Sequence, residues 1–155
     1  MSLTKQHCEL MAQLQAMNRP PLPTPIQFLL AHGSVMQVRG RLPRRLGIPK
    51  ACYYNAYHLA RRRARLRYVE GFALSVIPME HAWCVDEQGR IVDPTWGEDF
   101  NLIEGKRPVD YFGMAFDLDL VRRIRKLTKQ LSMLWEFWHW REVYPILKAE
   151  MEEAK

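Results

Sequence analysis

Cys52, His81 and Asp93 have the side-chain types that nucleophilic catalysis through a thiol requires. A thiolate can attack an acyl carbon, and an imidazole can carry the proton to the leaving group. A carboxylate can hold that imidazole in the right tautomer. Such a trio would support hydrolysis of an amide or ester, or transfer of the acyl group to an amine. The elements that carry the three side chains must therefore bring them together.

His81 and Asp93 lie in a predicted β-hairpin. Residues 81–86 and 90–93 are β-prone runs, and Gly89 stands where a three-residue loop needs a left-handed residue. An odd loop and an even separation place both side chains on one face of adjacent strands. They would be diagonal neighbours, about 7–8 Å apart at the backbone. We therefore expect an imidazole–carboxylate hydrogen bond, whereas a loop of even length would put the two on opposite faces.

Cys52 lies in the first turn of a predicted helix. Pro49 favours extended backbone before it, and small and apolar residues then recur at helical spacing to about Arg63. The free N–H groups and the macrodipole at a helix start favour the thiolate, and the Cys52 N–H is a candidate oxyanion donor. A lone cysteine at such a position is more often a small buried hydrophobe. Cys84 alternates away from His81 along its strand and is predicted to be core.

The order of these motifs resembles the transglutaminase-like core, a branch of the papain-like cysteine enzymes. Cysteine at a helix start is followed by the strand at residues 67–72, then by His-Ala-Trp at 81–83 and Asp-Pro-Thr at 93–95. The likeness covers roughly residues 48–96. It implies that the chain is an enzyme, with Cys52 as the nucleophile, His81 as the base and Asp93 as the orienting acid.

The residues next to Cys52 can be compared with the pattern of this family. The family often has glycine two residues before the cysteine and an aromatic residue after it, so Lys50 departs from the pattern and Tyr53 fits it. Trp83 and Trp96 are expected next to the substrate. Asn55, one turn after Cys52, either lines the site with them or packs at the helix end.

The expected architecture is an α+β fold in a single domain, with a papain-like or transglutaminase-like core. The catalytic helix packs on a small antiparallel sheet, and helices flank this core at both ends of the chain. Residues 67–76, 81–86 and 90–93 are predicted to be consecutive antiparallel neighbours, because short connections join spatial neighbours. Further strands are predicted at 34–38 and, at the sheet edge, 111–116, and loops at 39–50 and 97–110; Pro78 is expected to end the strand before it.

Three segments make up that single domain. Residues 1–25 form an N-terminal helix over 3–17 and a proline-rich connector, residues 26–116 form the catalytic-type core, and residues 117–155 are helical. In the last segment one helix is predicted from about 119 to 143, and Pro145 is expected to kink or break it. The apolar stripe of that helix has helical spacing and consists of Leu120, Ile124, Leu127, Leu131 and Leu134.

The strongest run of charge holds Arg61, Arg62, Arg63 and Arg65, in a chain whose net charge is +6. One interpretation is a solvated helix end, where cations favour the C-terminal dipole. The other is contact with an anionic partner such as a nucleic acid or nucleotide, although no recognised nucleic-acid motif is present. The alternative to an enzyme is therefore a non-catalytic binding protein on the same scaffold, using this basic region.

Composition narrows the setting. Three cysteines without a pairing pattern suit reduced thiols in the cytoplasm. No CxxC or CxxH spacing is present, so we expect neither a metal nor a cofactor. No apolar run is long enough for a signal peptide or a membrane span. The substrate is expected to be a protein, a peptide or a small acyl compound, and the aromatic-rich C-terminal helix is expected to offer a homodimer surface.

Overall fold

The computed structural model describes residues 2–17, 21–36, 47–74, 77–96, 110–135 and 137–153, and these form an α+β fold. Within these ranges the strands are β1 (Ser34–Met36), β2 (Arg67–Leu74), β3 (Pro78–Val85), β4 (Ile91–Val92) and β5 (Asp110–Phe116). The helices are α1 (Leu3–Ala16), α2 (Pro25–His32), α3 (Cys52–Arg62), α4 (Leu118–Thr128) and α5 (Trp140–Glu153), with a short 3₁₀ helix at Phe137–His139.

The strands form one antiparallel sheet in the order β1-β5-β2-β3-β4. The predicted succession of β2, β3 and β4 is confirmed. The prediction that residues 111–116 form an edge strand is wrong, because β1 pairs with β5 and takes the edge. Pro78 does not follow a strand but begins β3, where a missing N–H is tolerated. The predictions for residues 18–20, 37–46, 75–76 and 97–109 fall outside the described residues.

Side chains on the two faces of the sheet enter different apolar clusters. One face, with Tyr68, Phe72 and Phe112, packs against residues from all five helices of the described chain. The opposite face, with Val69 and Trp83, packs in a smaller cluster of the sheet. The helix that begins at Cys52 lies on the larger cluster, through Ala56 and Ala60. The expected packing of this helix on an antiparallel sheet is confirmed.

The N-terminal helices follow local signals in the sequence. Thr24 caps α2 in a reciprocal capping box with Gln27, and Pro25 occupies the first helical position. Ser2 caps α1, and its hydroxyl also donates to the Asp110 carboxylate at 2.8 Å, which ties α1 to the start of β5.

The C-terminal segment differs most from its prediction. The helix ends at Thr128, and Lys129 takes a left-handed conformation with φ of 60°. The predicted stripe is buried at Leu120 and Ile124, whereas Leu127 is 50% exposed and Leu131 is 48% exposed. The single helix from 119 to 143 is therefore wrong. Pro145 does not end α5 either, because that helix continues through it to Glu153.

Buried Glu70 explains why the chain leaves the helical path after Thr128. Its carboxylate, on β2, accepts hydrogen bonds from the Ser132 hydroxyl at 2.9 Å, from the Met133 N–H at 2.9 Å and from the Leu134 N–H at 3.1 Å. The Tyr68 hydroxyl adds a fourth donor at 2.7 Å. A buried charge needs such donors. If the helix continued, these N–H groups would instead donate to backbone carbonyls within the helix.

In the described ranges, no helix has both the length and the apolar character of a membrane span.

Candidate active site

The hairpin that carries His81 and Asp93 has the predicted loop. Gly89 is left-handed with φ of 72°, its N–H donates to the Asp86 carbonyl at 2.9 Å, and the Asp86 N–H donates to the Arg90 carbonyl at 3.0 Å. The register pairs Cys84 with Val92. Asp93, the residue after Val92, therefore lies on the same face of the sheet as His81 and diagonally across from it. The prediction that both side chains share one face is confirmed.

His81 and Asp93 form a buried pair. The distance from His81 Nε2 to Asp93 Oδ2 is 2.7 Å, and the two side chains are 2% and 0% exposed. Because β4 covers only Cys84 and Val85 of β3, the turn after β4 can bring Asp93 beside His81. Because Nε2 is hydrogen-bonded to Asp93, Nδ1 is the imidazole nitrogen that is left to interact with the thiol.

Asp93 is held by more than the imidazole. Its Oδ1 accepts from the N–H groups of Thr95 and Trp96, both at 2.9 Å, and its Oδ2 accepts from the Tyr111 hydroxyl at 3.1 Å. Burial alone would raise the pKa of Asp93, but the charge and hydrogen bond of His81 and the hydrogen bonds from the Trp96 and Thr95 N–H groups lower it below its ordinary value. The carboxylate is therefore fixed in its ionised form.

Tyr111 is a site residue that the sequence does not single out. It lies on β5 and stands against Ala73 of β2, two strands away from the hairpin that carries Asp93. Only the insertion of β5 between β1 and β2 brings its hydroxyl to the carboxylate. An aromatic residue in a predicted strand carries no signal of such a role.

The environment of His81 favours the imidazolium. Burial by itself would lower the pKa of His81, but the charge and hydrogen bond of Asp93 and the hydrogen bond of Cys52 outweigh it and raise the pKa to about 9. The indole of Trp96 stacks on the imidazole, with ring centroids 3.9 Å apart and planes 13° apart. The ring is thus held by a carboxylate on one nitrogen and an aromatic plane on one face.

Cys52 stands at the start of α3, as predicted, and its thiol is a hydrogen-bonding neighbour of His81. The preceding Ala51 makes no side-chain capping bond, so no side-chain oxygen competes for the N–H groups of the first turn. Cys52 is partly exposed, whereas Cys8 and Cys84 are fully buried. Burial raises the pKa of both buried thiols to about 12, which leaves Cys52 as the thiol available for chemistry.

Lys50 takes the left-handed conformation just before this helix, with φ of 62°. Glycine adopts that conformation freely, whereas a side chain there costs about 1 kcal/mol. The resemblance leads one to expect glycine at this position. Lys50 is therefore not the glycine that the resemblance predicts, but its backbone has a conformation that glycine favours.

Asn55 joins the two segments that carry Cys52 and Asp93. Its Oδ1 accepts from the Ile48 N–H at 2.9 Å, and its Nδ2 donates to the Ile48 carbonyl at 2.7 Å and to the Thr95 hydroxyl at 3.0 Å. Thr95 lies in the turn that wraps Asp93. The amide is buried and all of these bonds are internal, so its geometry is that of a residue that positions the loop before Cys52 against that turn.

Trp83 is completely buried beneath His81. Its ring reaches across the sheet to Gly113, where a Cβ would lie 2.5 Å from the indole, and it meets Tyr111 edge-on with centroids 5.0 Å apart. Gly113 is thus the residue that makes room for this indole. The Trp83 side chain has no exposed surface, so it packs below the imidazole and supports it.

The structure brings together the three residues that the sequence nominates for catalysis. The partly exposed Cys52 thiol neighbours the His81 imidazole, whose surroundings favour protonation, and the imidazole is hydrogen-bonded to the Asp93 carboxylate. A thiolate–imidazolium pair needs this arrangement. In the described segments no three His, Cys, Asp or Glu side chains converge in the manner of metal ligands. Comparison with protein-family models, with curated proteins and with solved structures finds no match for this chain.

Proposed function

We propose that this protein performs thiol-dependent acyl chemistry, in which Cys52, His81 and Asp93 hydrolyse an amide or ester or transfer its acyl group to an amine. The observation that carries the proposal is the position of His81. Its imidazole lies between the Asp93 carboxylate, at 2.7 Å, and the one partly exposed thiol among the described cysteines.

The reaction begins with attack of the Cys52 thiolate on the acyl carbon. The carbon–sulfur bond of a thioester forms, the bond to the leaving group breaks, and the His81 imidazolium gives its proton to the leaving amine or alcohol. Water or an amine then attacks the thioester and passes a proton to His81, which restores the thiolate. The Cys52 N–H at the helix start is suited to stabilise the oxyanion of each step.

Three further residues are proposed to support this trio. Trp96 lies on the imidazole, Trp83 lies beneath it and Asn55 anchors the loop before the nucleophile. All three are buried, so we assign them to holding the site in shape and not, as the sequence alone led us to expect, to contact with the substrate. The substrate, a protein, a peptide or a small acyl compound, would reach the thiol from the exposed side of Cys52.

The setting of the reaction is also proposed. A thiol nucleophile and three unpaired cysteines fit a reducing compartment such as the cytoplasm. A homodimer through the C-terminal segment would cover Leu127, Leu131 and Trp138, of which the last is 91% exposed. The order of Cys52, His81 and Asp93 along the chain resembles that of the transglutaminase-like core, which supports the proposed roles.

The experiment that tests the function is alkylation of Cys52 by iodoacetamide as a function of pH, with peptide mapping to distinguish the three cysteines. In the wild type, Cys52 should label fast at pH 6, where a free thiol hardly reacts, while Cys8 and Cys84 should label only after unfolding. His81→Ala should remove the fast labelling at pH 6, because the imidazolium partner is lost.

His58→Ala is the matched control, since His58 lies on the same helix but outside the site. It should leave the labelling profile unchanged. An ordinary free thiol labels with a midpoint at pH ~8.5. If Cys52 labels with that same pH profile, and His81→Ala does not change it, there is no thiolate–imidazolium pair and the proposed chemistry fails.

A further inference from the structure

A cavity of about 540 Å³ lies along α3, between this helix, the segment that contains Gly47 and Ile48, and Pro94. Its polar wall consists of His58, Arg62 and Arg63, and the ring of Tyr54 stands beside them. Asn55 and Pro94 form the wall towards the candidate active site. A volume of this size suits a small molecule, and the cavity lies outside the trio proposed for catalysis.

Positive charge accumulates at the C-terminal end of α3, in Arg61, Arg62 and Arg63. No carboxylate in the part of the chain that the structure describes pairs with Arg61, Arg62 or Arg63. The neighbouring helix α4 behaves differently, because Arg122 pairs with Asp119 and Arg123 pairs with Glu150. Arg62 and Arg63, which line the cavity, thus have no carboxylate partner among the described residues.

Arg125 adds a cation from a second helix. Its guanidinium lies over the ring of Tyr57, 3.9 Å from the centroid, and its Nη1 is buried without a hydrogen-bond partner. Arg61 approaches the same ring from α3, at 5.5 Å. Burial, followed by the charges of Arg61, Arg125 and Arg62, lowers the pKa of His58 below its ordinary value. Arg61 and Arg125 therefore add positive charge close to His58, which lines the cavity.

The helix dipole does not account for this arrangement. It favours cations in the last turn of α3, but it gives no reason for Arg62 and Arg63 to line a cavity. Two guanidinium groups that line one cavity suit a doubly charged oxyanion, which they can hold by bidentate hydrogen bonds. Tyr54, 42% exposed at the same wall, offers an aromatic face on which a base can stack.

We propose that this cavity binds the phosphate of a nucleotide, either free or as part of a single strand, through Arg62 and Arg63, with Arg61 and Arg125 adding positive charge nearby. Tyr54 contacts the base. The site is separate from the thiol chemistry, and equilibrium binding measures it without reference to turnover.

The test is calorimetric titration of the full chain with AMP, adenosine and inorganic phosphate, together with fluorescence anisotropy of a labelled oligoadenylate. AMP should bind and adenosine should not. Arg62→Gln/Arg63→Gln should weaken AMP binding by about tenfold or more, because hydrogen bonds to a charged group are lost. Tyr54→Ala should weaken AMP binding and leave inorganic phosphate unaffected.

Arg122→Gln/Arg123→Gln is the matched control, because it removes the same charge from a neighbouring surface; circular dichroism checks that both double variants fold. This control should keep the wild-type affinity for AMP. An oligoadenylate that binds more tightly than AMP, with a steep salt dependence, identifies a strand as the source of the phosphate; AMP bound more tightly identifies a free nucleotide. Absence of AMP and strand binding, equal binding of adenosine and AMP, or equal loss in both double variants would overturn the proposal.

Discussion

At the scale of single residues, the site depends on how His81 is held. Asp93 and Cys52 raise its pKa to about 9 against the effect of burial, and the carboxylate that does most of this is itself held by four donors. Every one of those donors belongs to the fold and not to a ligand. The fold itself therefore forms the pair, which is the preorganisation that the proposed catalysis requires.

This pair should make stability depend on pH in a defined direction. The pKa of His81 rises from an ordinary value of 6.5 to about 9 on folding, so its stabilisation is fully present below pH 6.5 and is lost as the pH rises towards 9. The lowered pKa of Asp93 acts at acidic pH and does not contribute to this window. The advantage of the wild type over His81→Gln in urea denaturation should fall between pH 6 and pH 9, by on the order of 3 kcal/mol.

His58→Gln serves as the control for that measurement. The pKa of His58 is lowered in the folded state, so its substitution should not reproduce a loss of stability over the same window. An advantage of the wild type over His81→Gln that stays constant from pH 6 to pH 9 would mean that the imidazole is not protonated in the folded protein.

At the scale of elements, α4 shows how a periodic stripe can mislead. Its leucines and isoleucine keep helical spacing from Leu120 to Leu134, yet only the part of the stripe up to Ile124 lies within the helix and is buried. After Thr128 the spacing continues in the sequence, but the backbone does not. Leu134 is nevertheless fully buried, because the loop places it in the core by another route.

Two substitutions on this helix should therefore have different effects. Ile124 is completely buried, so Ile124→Ala should lower the free energy of unfolding by ~2–5 kcal/mol. Leu127 is half-exposed on the same helix, so Leu127→Ala should cost less than about 1 kcal/mol. Urea denaturation monitored by circular dichroism measures both. Equal losses in the two variants would show that the buried face of α4 is assigned wrongly.

At the scale of the whole molecule, Glu70 connects the sheet to the C-terminal segment. It is a fully buried carboxylate on β2, and its donors are Tyr68 on the same strand and the loop residues Ser132, Met133 and Leu134. Burial raises the pKa of Glu70, and these hydrogen bonds lower it in part. Burial and Glu70 also raise the pKa of Tyr53, which follows Cys52, so the influence of Glu70 extends to α3.

Glu70→Gln keeps the size of the side chain but points an amide donor at other donors. We expect it to lower the free energy of unfolding by about 3 kcal/mol or more, because buried N–H and hydroxyl groups would lose their acceptor. The control is Glu87→Gln on the exposed hairpin loop, which should change stability by less than about 0.5 kcal/mol. Similar small changes in both variants would show that Glu70 does not anchor the C-terminal segment.

The sequence by itself determined the parts of this protein that depend on short stretches of chain. Gly89 and the odd loop place His81 and Asp93 on one face, and Pro49 with the helical spacing after it starts a helix at Cys52. Thr24 and Pro25 likewise define the start of α2. Steric limits on backbone conformation and the two-residue alternation of a strand act between near neighbours, so these features can be read directly from the residues.

Only the tertiary structure decided which distant groups meet. Tyr111 reaches Asp93 because β5 lies between β1 and β2, and Asn55 bridges Ile48 and Thr95 because α3 lies beside the turn after β4. The helix ends at Thr128 because Glu70, far away in sequence, accepts the N–H groups that follow. A hydrogen bond between distant segments leaves no periodic signal in either one, and a buried charge takes its donors from whichever segment the fold brings near.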